Sequence, residues 1–227
     1  MRSALTLPSR HSGRNHTAST AYAPHRSQLT FIDLFAGIGG TRLAFENAAC
    51  RCIFSSEWDR FAQITYEANF GEKPHGDIRE IPSRSIPNHD ILVAGFPCKP
   101  FSISGVSKKN SLGRPHGFKD PTQGTLFFEI KRILEDRKPR AFLLENVKNL
   151  RSHDNGNTFS IILDILTRQL GYTVFHQIID AADYVPQHRE RIYIVGFRDF
   201  SFFEFQGKHA GHRQTFREIL EKNVDSK

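Results

Sequence analysis

The segment Leu29-Thr-Phe-Ile-Asp-Leu-Phe-Ala-Gly-Ile-Gly-Gly40 joins a short apolar, β-rich run to a turn built of glycines. A run of this length with a glycine boundary predicts a buried strand over Leu29 to Phe35. Leu43, Ala44, Phe45 and Ala48 then recur at helical spacing. Strand, glycine turn and helix in that order are the opening unit of an α/β fold.

The same alternation continues outward. Cys52-Ile-Phe-Ser55 predicts a second strand, closed by Glu57-Trp58-Asp59 and followed by a helix around Phe61 to Asn69. Asp90 to Ala94 reads as a buried strand, Leu126, Phe127, Ile130, Ile133 and Leu134 as an amphipathic helix, and Ala141 to Leu144 as another strand. Phe159, Ile162, Leu163 and Leu166 form a helical face that Gly171 stops. Tyr172 to Ile179 and Arg191 to Phe197 predict two last strands, antiparallel to each other. The series predicts a doubly wound, mostly parallel α/β sheet, in which functional residues gather at the carboxyl ends of strands. Asp33 to Gly40, Glu57, Asp77, Phe96 to Ser102 and Glu145-Asn146 all follow strand-like runs, so one crevice would hold them.

Composition bounds the function. The 227 residues are 38% hydrophobic and 24% charged, enough for one full domain and too few for a large multidomain enzyme. The longest apolar runs, such as Ile91 to Phe96, fall far short of the roughly 20 residues a membrane-spanning helix needs. A soluble cytoplasmic chain is expected. Cys50, Cys52 and Cys98 show no disulfide or zinc spacing, so reduced thiols and no bound metal are expected. The net charge is +7, but the first 32 residues hold four Arg and no acid, which leaves 27 basic against 24 acidic residues in the remainder. Charge alone is therefore a weak argument for a nucleic-acid partner. Residues 1–28 read as a disordered basic tail, with an organelle transit peptide as the alternative.

Four groups of residues suggest chemistry. The loop Gly37-Ile-Gly-Gly40, with the acidic Glu57 at the end of the next strand, describes a nucleoside pocket, the acid binding a ribose hydroxyl pair. Its spacing differs from Gly-x-Gly-x-x-Gly, which disfavours a nicotinamide oxidoreductase. In Gly95-Phe-Pro-Cys-Lys-Pro-Phe-Ser102, Pro97 and Pro100 stiffen the backbone on both sides of Cys98. That presents the thiol for attack, where an inert core cysteine would be the bland account. Glu145-Asn146 places an acid where it can hydrogen-bond a ring nitrogen and, with its pKa raised by burial, donate a proton. In Gln187-His-Arg-Glu-Arg191, the two arginines of an extended segment point to one side and can grip oxygens together.

Taken together these strings resemble the cytosine-C5 DNA methyltransferase family, of the bacterial restriction-modification type. The matching strings, in the family's order, are Asp33-Leu-Phe-Ala-Gly-Ile-Gly-Gly40, Glu57-Trp58-Asp59, Gly76-Asp77-Ile78, Gly95 to Ser102, Gly124-Thr-Leu-Phe127, Glu145-Asn-Val147 and Gln187 to Arg191. The resemblance implies a Rossmann-like methyltransferase fold with S-adenosylmethionine as cofactor. Phe35, Ala36, Gly37 and Gly39 would surround its methionine part, Glu57 its ribose, Trp58 and Ile78 its adenine, and Asp77 the amino group. Pro97 and Leu126 would complete that pocket.

The resemblance also implies that Cys98 adds to C6 of a cytosine flipped out of double-stranded DNA, while Glu145 holds N3 and Arg191 holds O2. Arg189, Asn146 and Pro97 would support these groups, with Ser102 and Arg189 facing the DNA strand. Lys99 stands where the family usually has Gln. Residues 29–205 would form the catalytic and cofactor domain, and 206–227 the start of a connection to a target recognition domain that is expected to be missing. On that expectation the chain is either self-sufficient or half of a split enzyme completed by a second polypeptide. A cognate restriction endonuclease and a nucleoid-associated location would accompany it. Two alternatives are an RNA cytosine-C5 methyltransferase of the same family and a non-catalytic remnant.

Overall fold

The structure, a computed structural model, describes residues 28–97, 126–206 and 215–220. In chain order the elements are β1 (Thr30–Leu34), α1 (Gly40–Asn47), β2 (Arg51–Ser56), α2 (Arg60–Phe70), β3 (Ile91–Gly95), α3 (Leu126–Arg137), β4 (Ala141–Val147), α4 (Asn157–Asp164), β5 (Thr173–Asp180), β6 (Glu190–Phe197) and the short α5 (Phe216–Ile219). The strands form one six-stranded sheet in the order β2-β1-β3-β4-β6-β5. β2, β1, β3 and β4 run parallel, and β6 is antiparallel to both β4 and β5. The expected doubly wound, mostly parallel sheet is thus observed, with its last two strands antiparallel. Strand order reverses between β1 and β3, which opens a crevice at their carboxyl ends.

β1 and β3 are covered on both faces, which is why they read as continuous apolar runs rather than alternating ones. On one face Ile32, Leu34, Leu92, Phe142, Leu144, Ile192 and Ile194 pack with Ile130, Ile133 and Leu134 of α3 and Phe159 and Ile162 of α4. Each such side chain contributes about 1.5–3 kcal/mol when fully buried. On the other face Phe31 meets Phe45 of α1, ring centroids 5.2 Å apart. Asp59 caps α2 by accepting from the amides of Phe61 at 3.0 Å and Ala62 at 2.8 Å, and Gly71 ends that helix in the left-handed conformation. Gly171 stops the α4 segment in the same way, as its position predicts.

Arg42 is buried between α1 and α2. Its guanidinium donates to Glu46 Oε1 at 2.8 Å and to the Tyr66 hydroxyl at 3.0 Å, pairs with Glu72, and lies 4.4 Å from the Phe70 ring centroid. A buried cation costs little once it is paired and hydrogen-bonded on this scale.

Three positions differ from expectation. β4 continues to Val147, so Glu145 and Asn146 lie inside the strand rather than in the loop after it; β6 keeps their backbone paired. β6 starts at Glu190, which leaves Arg189 in the preceding turn, and the extended segment expected over Gln187 to Arg191 is strand only at its end. Asp77 follows a single bridge between Ser56 and His75 rather than a full strand, and opens a 3₁₀ turn over Ile78–Glu80. Among the described residues no helix is long and apolar enough to cross a membrane.

Candidate active site

The crevice floor is the turn after β1. Phe35 is held at φ 57°, Gly37 at φ 55° and Gly39 at φ 92°, all in the left-handed region. The turn is laced to the end of β2. The Ala36 amide donates to the Ser56 carbonyl at 3.0 Å, and the Gly37 amide to Glu57 Oε2 at 2.8 Å. Glu57 Oε1 accepts from the Asp59 amide at 2.8 Å. A carboxylate accepts about four hydrogen bonds, so buried Glu57 keeps capacity for a hydroxyl pair while it fixes both loops. A Cβ built on Gly37 meets nothing within 4 Å, so open space lies above the turn.

Gly39 differs, because a Cβ there would stand 2.0 Å from Phe70 Cε2. Gly39→Ala should therefore destabilise the chain by about 1–3 kcal/mol through overpacking and a strained φ. The midpoint of urea unfolding reads this out, and an unchanged midpoint would contradict the close approach of α2.

Beside this turn Trp58 is half exposed, with the Arg79 guanidinium 5.2 Å from its ring centroid. Asp77 accepts from Arg79 Nε at 3.0 and 2.9 Å, and this hydrogen bonding holds its carboxyl below the usual range despite some desolvation. Ile78 and Leu126 are each 2% exposed, so they form the backing of the crevice rather than its open lining. A half-exposed indole, a carboxylate with spare acceptor capacity and a turn with open space above it suit a nucleoside with a polar tail, and thus fit S-adenosylmethionine. Among the described residues no cluster of His, Cys, Asp or Glu could hold a metal ion.

Asp33, near the end of β1, is 1% exposed and its Oδ2 has no partner. Burial pushes its carboxyl up to about 7, against the pull of the Arg42 guanidinium and amide. The folded chain therefore holds this proton more tightly than the unfolded chain, whose carboxyl titrates near the ordinary value of 3.8. Stability from this group is present below that value and is lost as pH rises towards about 7. Asp33→Asn should remove that fall. Denaturation midpoints of the two chains, compared from pH 4.5 to 7.5, should converge on or cross one another as pH rises; parallel curves would contradict it. The signal for Asp33 in the sequence was an acid inside an otherwise apolar strand.

The third wall is the end of β3 and β4. Gly95 pairs with Glu145 across the sheet, and a Cβ on Gly95 would lie 3.6 Å from Glu145 Oε2. Asn146 is 1% exposed, its Nδ2 donates to the Phe96 carbonyl at 3.2 Å, and its Oδ1 accepts from the Val147 amide at 2.9 Å. It thus ties β4 to the Phe96-Pro97 segment that leads into Cys98. Cys98, Lys99 and Ser102 lie outside the described residues. Arg191 Nε donates to Glu145 Oε1 at 2.9 Å. Burial raises the Glu145 carboxyl, and Arg191 and Arg189 oppose that rise. Tyr193, which sequence reasoning missed, sits opposite Glu145 in the β4–β6 register; burial and the Glu145 charge raise its hydroxyl. The structure thus gathers Pro97, Glu145, Asn146 and Arg191 at one end of the sheet, with Arg189 exposed at its rim.

A family model described as C-5 cytosine-specific DNA methylase matches residues 29–227. The chain is 57% identical over 193 residues to the type II methyltransferase M.HaeII of Haemophilus aegyptius, covering 85% of this chain and 57% of that protein. It is 45% identical to a DNA-cytosine methyltransferase of Escherichia coli K12, covering 91% of this chain and 51% of that protein. The chain therefore spans a little over half the length of the curated relatives it matches. Among solved structures, Entamoeba histolytica methyltransferase EhMeth superposes with a TM-score of 0.71 at 23% identity, over 88% of this chain and 62% of that one. At that identity the likeness establishes the fold.

Proposed function

The chain belongs to the C-5 cytosine-specific DNA methylase family, and from this membership we propose that it carries the catalytic half of a reaction that methylates C5 of cytosine in DNA. Family and fold imply use of S-adenosylmethionine. In this reading Phe35, Ala36, Gly37 and Gly39 hold its methionine part, Glu57 its ribose, and Trp58 and Asp77 its adenine, with Ile78, Pro97 and Leu126 behind. When bound, the cofactor supplies the electrophilic sulfonium methyl that C5 takes.

The protein's own residues make C5 reactive. Unaided, C5 of cytosine is too weak a nucleophile. The Cys98 thiolate forms a bond to C6, the C5–C6 double bond opens, and negative charge develops on the ring. Glu145 in its protonated form gives its proton to N3 as that charge develops, and Arg191 donates to O2. After methylation, loss of the C5 proton restores the double bond and expels Cys98. A free thiol has a pKa near 8.5, so the Pro97-Cys98 segment must favour the thiolate. The base reaches this crevice only by leaving the duplex, and Ser102 and Arg189 are assigned to the strand it leaves. Residues 29–205 are read as the catalytic and cofactor domain. A second polypeptide that reads the target site, a cognate restriction endonuclease and a cytoplasmic, nucleoid-associated location complete the proposal.

The observation that carries this reading is the joint position of Glu145, Arg191 and Asn146, with Asn146 bonded to the segment that delivers Cys98. The test is transfer of labelled methyl from S-adenosylmethionine to unmethylated mixed-sequence DNA, with tRNA in parallel. Label in DNA supports the proposal, label in tRNA alone replaces DNA by RNA as substrate, and label in neither overturns self-sufficient activity.

A further inference from the structure

Between β5 and β6 the chain reverses through residues 181–189, and one carboxylate holds both ends of the reversal. Oδ1 of Asp180, the last residue of β5, accepts from the amides of Ala182 at 3.1 Å and Arg189 at 2.8 Å. Its Oδ2 contacts His188 Nδ1 at 2.6 Å. The Ala181 amide donates to the Arg189 carbonyl at 3.1 Å and extends the β5–β6 ladder into the turn. Two residues further on, Arg191 bonds Glu145 at 2.9 Å, and Lys148, just past β4, pairs with Glu190 between the two arginines.

We propose that Asp180 is a positioning residue of this site: by tying the backbone of Arg189 to the end of β5, it sets Arg189 beside the pair of Arg191 with Glu145. This rests on the reading of Glu145 and Arg191 as the groups that hold the base. A long guanidinium side chain can point in many directions, so its reach is set by where its Cα is held. Arg189 lies outside the strand ladder of β6, and the Asp180 carboxylate supplies the backbone acceptor that the ladder does not. Nothing in the motif strings marks Asp180, since it lies outside Gln187 to Arg191.

Two variants separate its bonds. Asp180→Asn keeps an oxygen for both amides. Asp180→Ser still caps Ala182 but is too short to reach Arg189. Carbon-13 NMR titration of the Glu145 carboxyl in the chain alone should show its midpoint move up in the Ser variant, because Arg189, one of the two cations that oppose the effect of burial, is released, and stay near the original in the Asn variant. An unchanged midpoint in a folded Ser variant overturns the proposal. In the methyl-transfer assay kcat should fall about tenfold or more for Ser, with KM for S-adenosylmethionine unchanged, and recover for Asn. If the unaltered chain transfers no methyl, self-sufficient activity fails while the titration still decides the role of Asp180. Hydrogen exchange in the unaltered chain covers the case of a Ser variant that does not fold. The Ala182 and Arg189 amides should be protected, and exchange at open-peptide rates would overturn the assignment.

Discussion

The Cys98→Ala chain should transfer methyl to DNA about a thousandfold more slowly than the unaltered chain, or not at all. In the proposed mechanism the thiolate is the group that opens the C5–C6 double bond. Without it no charge develops on the ring, and Glu145 and Arg191 have nothing to stabilise. The losses are therefore not additive: a second substitution at Glu145 in the Ala background should cost little more. Initial rates of label incorporation measure the effect. Trapping on DNA that contains 5-fluorocytosine isolates the step, because fluorine at C5 blocks the elimination that releases the enzyme. A covalent complex with the unaltered chain and none with Cys98→Ala is the expected pair. A rate within tenfold of the original would remove the thiol from the chemistry.

Glu145→Gln carries the second large effect, a fall in kcat of about a hundredfold to ten-thousandfold. Gln keeps the size and one hydrogen-bonding face, but it cannot hand a proton to N3. It also ends the ion pair with Arg191, whose Nε lies 2.9 Å from Glu145 Oε1. Burial raises the Glu145 carboxyl, so more of it carries a proton near neutrality than an exposed carboxylate would. In a protein site that is the form able to donate. The loss should fall on kcat and on the rate of adduct formation. Binding of S-adenosylmethionine, measured by calorimetry, should change little, because most of the groups proposed to hold the cofactor follow the ends of β1 and β2. A loss confined to KM would instead make Glu145 a binding residue.

The two halves of the site differed in how clearly they stood in the sequence. The proposed cofactor half is local. Gly37, Gly39 and Glu57 mark a turn and the end of the next strand, and the structure joins them through the Gly37 amide and Glu57 Oε2. Ile78 and Leu126 were legible as positions, but not as the buried backing they form. The proposed catalytic half is assembled from distant segments. Arg189 and Arg191 were expected on one side of an extended segment, Arg191 holding the base and Arg189 in support. Instead Arg191 is in the strand and bonded to Glu145, while Arg189 is in the turn and held by Asp180.

Apolar runs separated by glycine turns and helical faces were enough to establish a doubly wound sheet with its oddities at the carboxyl ends of strands. Period and burial are properties of short segments, and they survive any arrangement of those segments. Strand order and register do not. The position of β6 between β4 and β5 sets Arg191 diagonal to Glu145 and Tyr193 opposite it. The parallel register of β3 on β4 sets Gly95 beside Glu145, and the packing of α1 over β1 seals Asp33 from water. A shift of one residue in either register would turn Glu145 or its partners to the other face. Neither the pairing of Glu145 with Arg191 nor the proton held by Asp33 exists until tertiary packing selects that register.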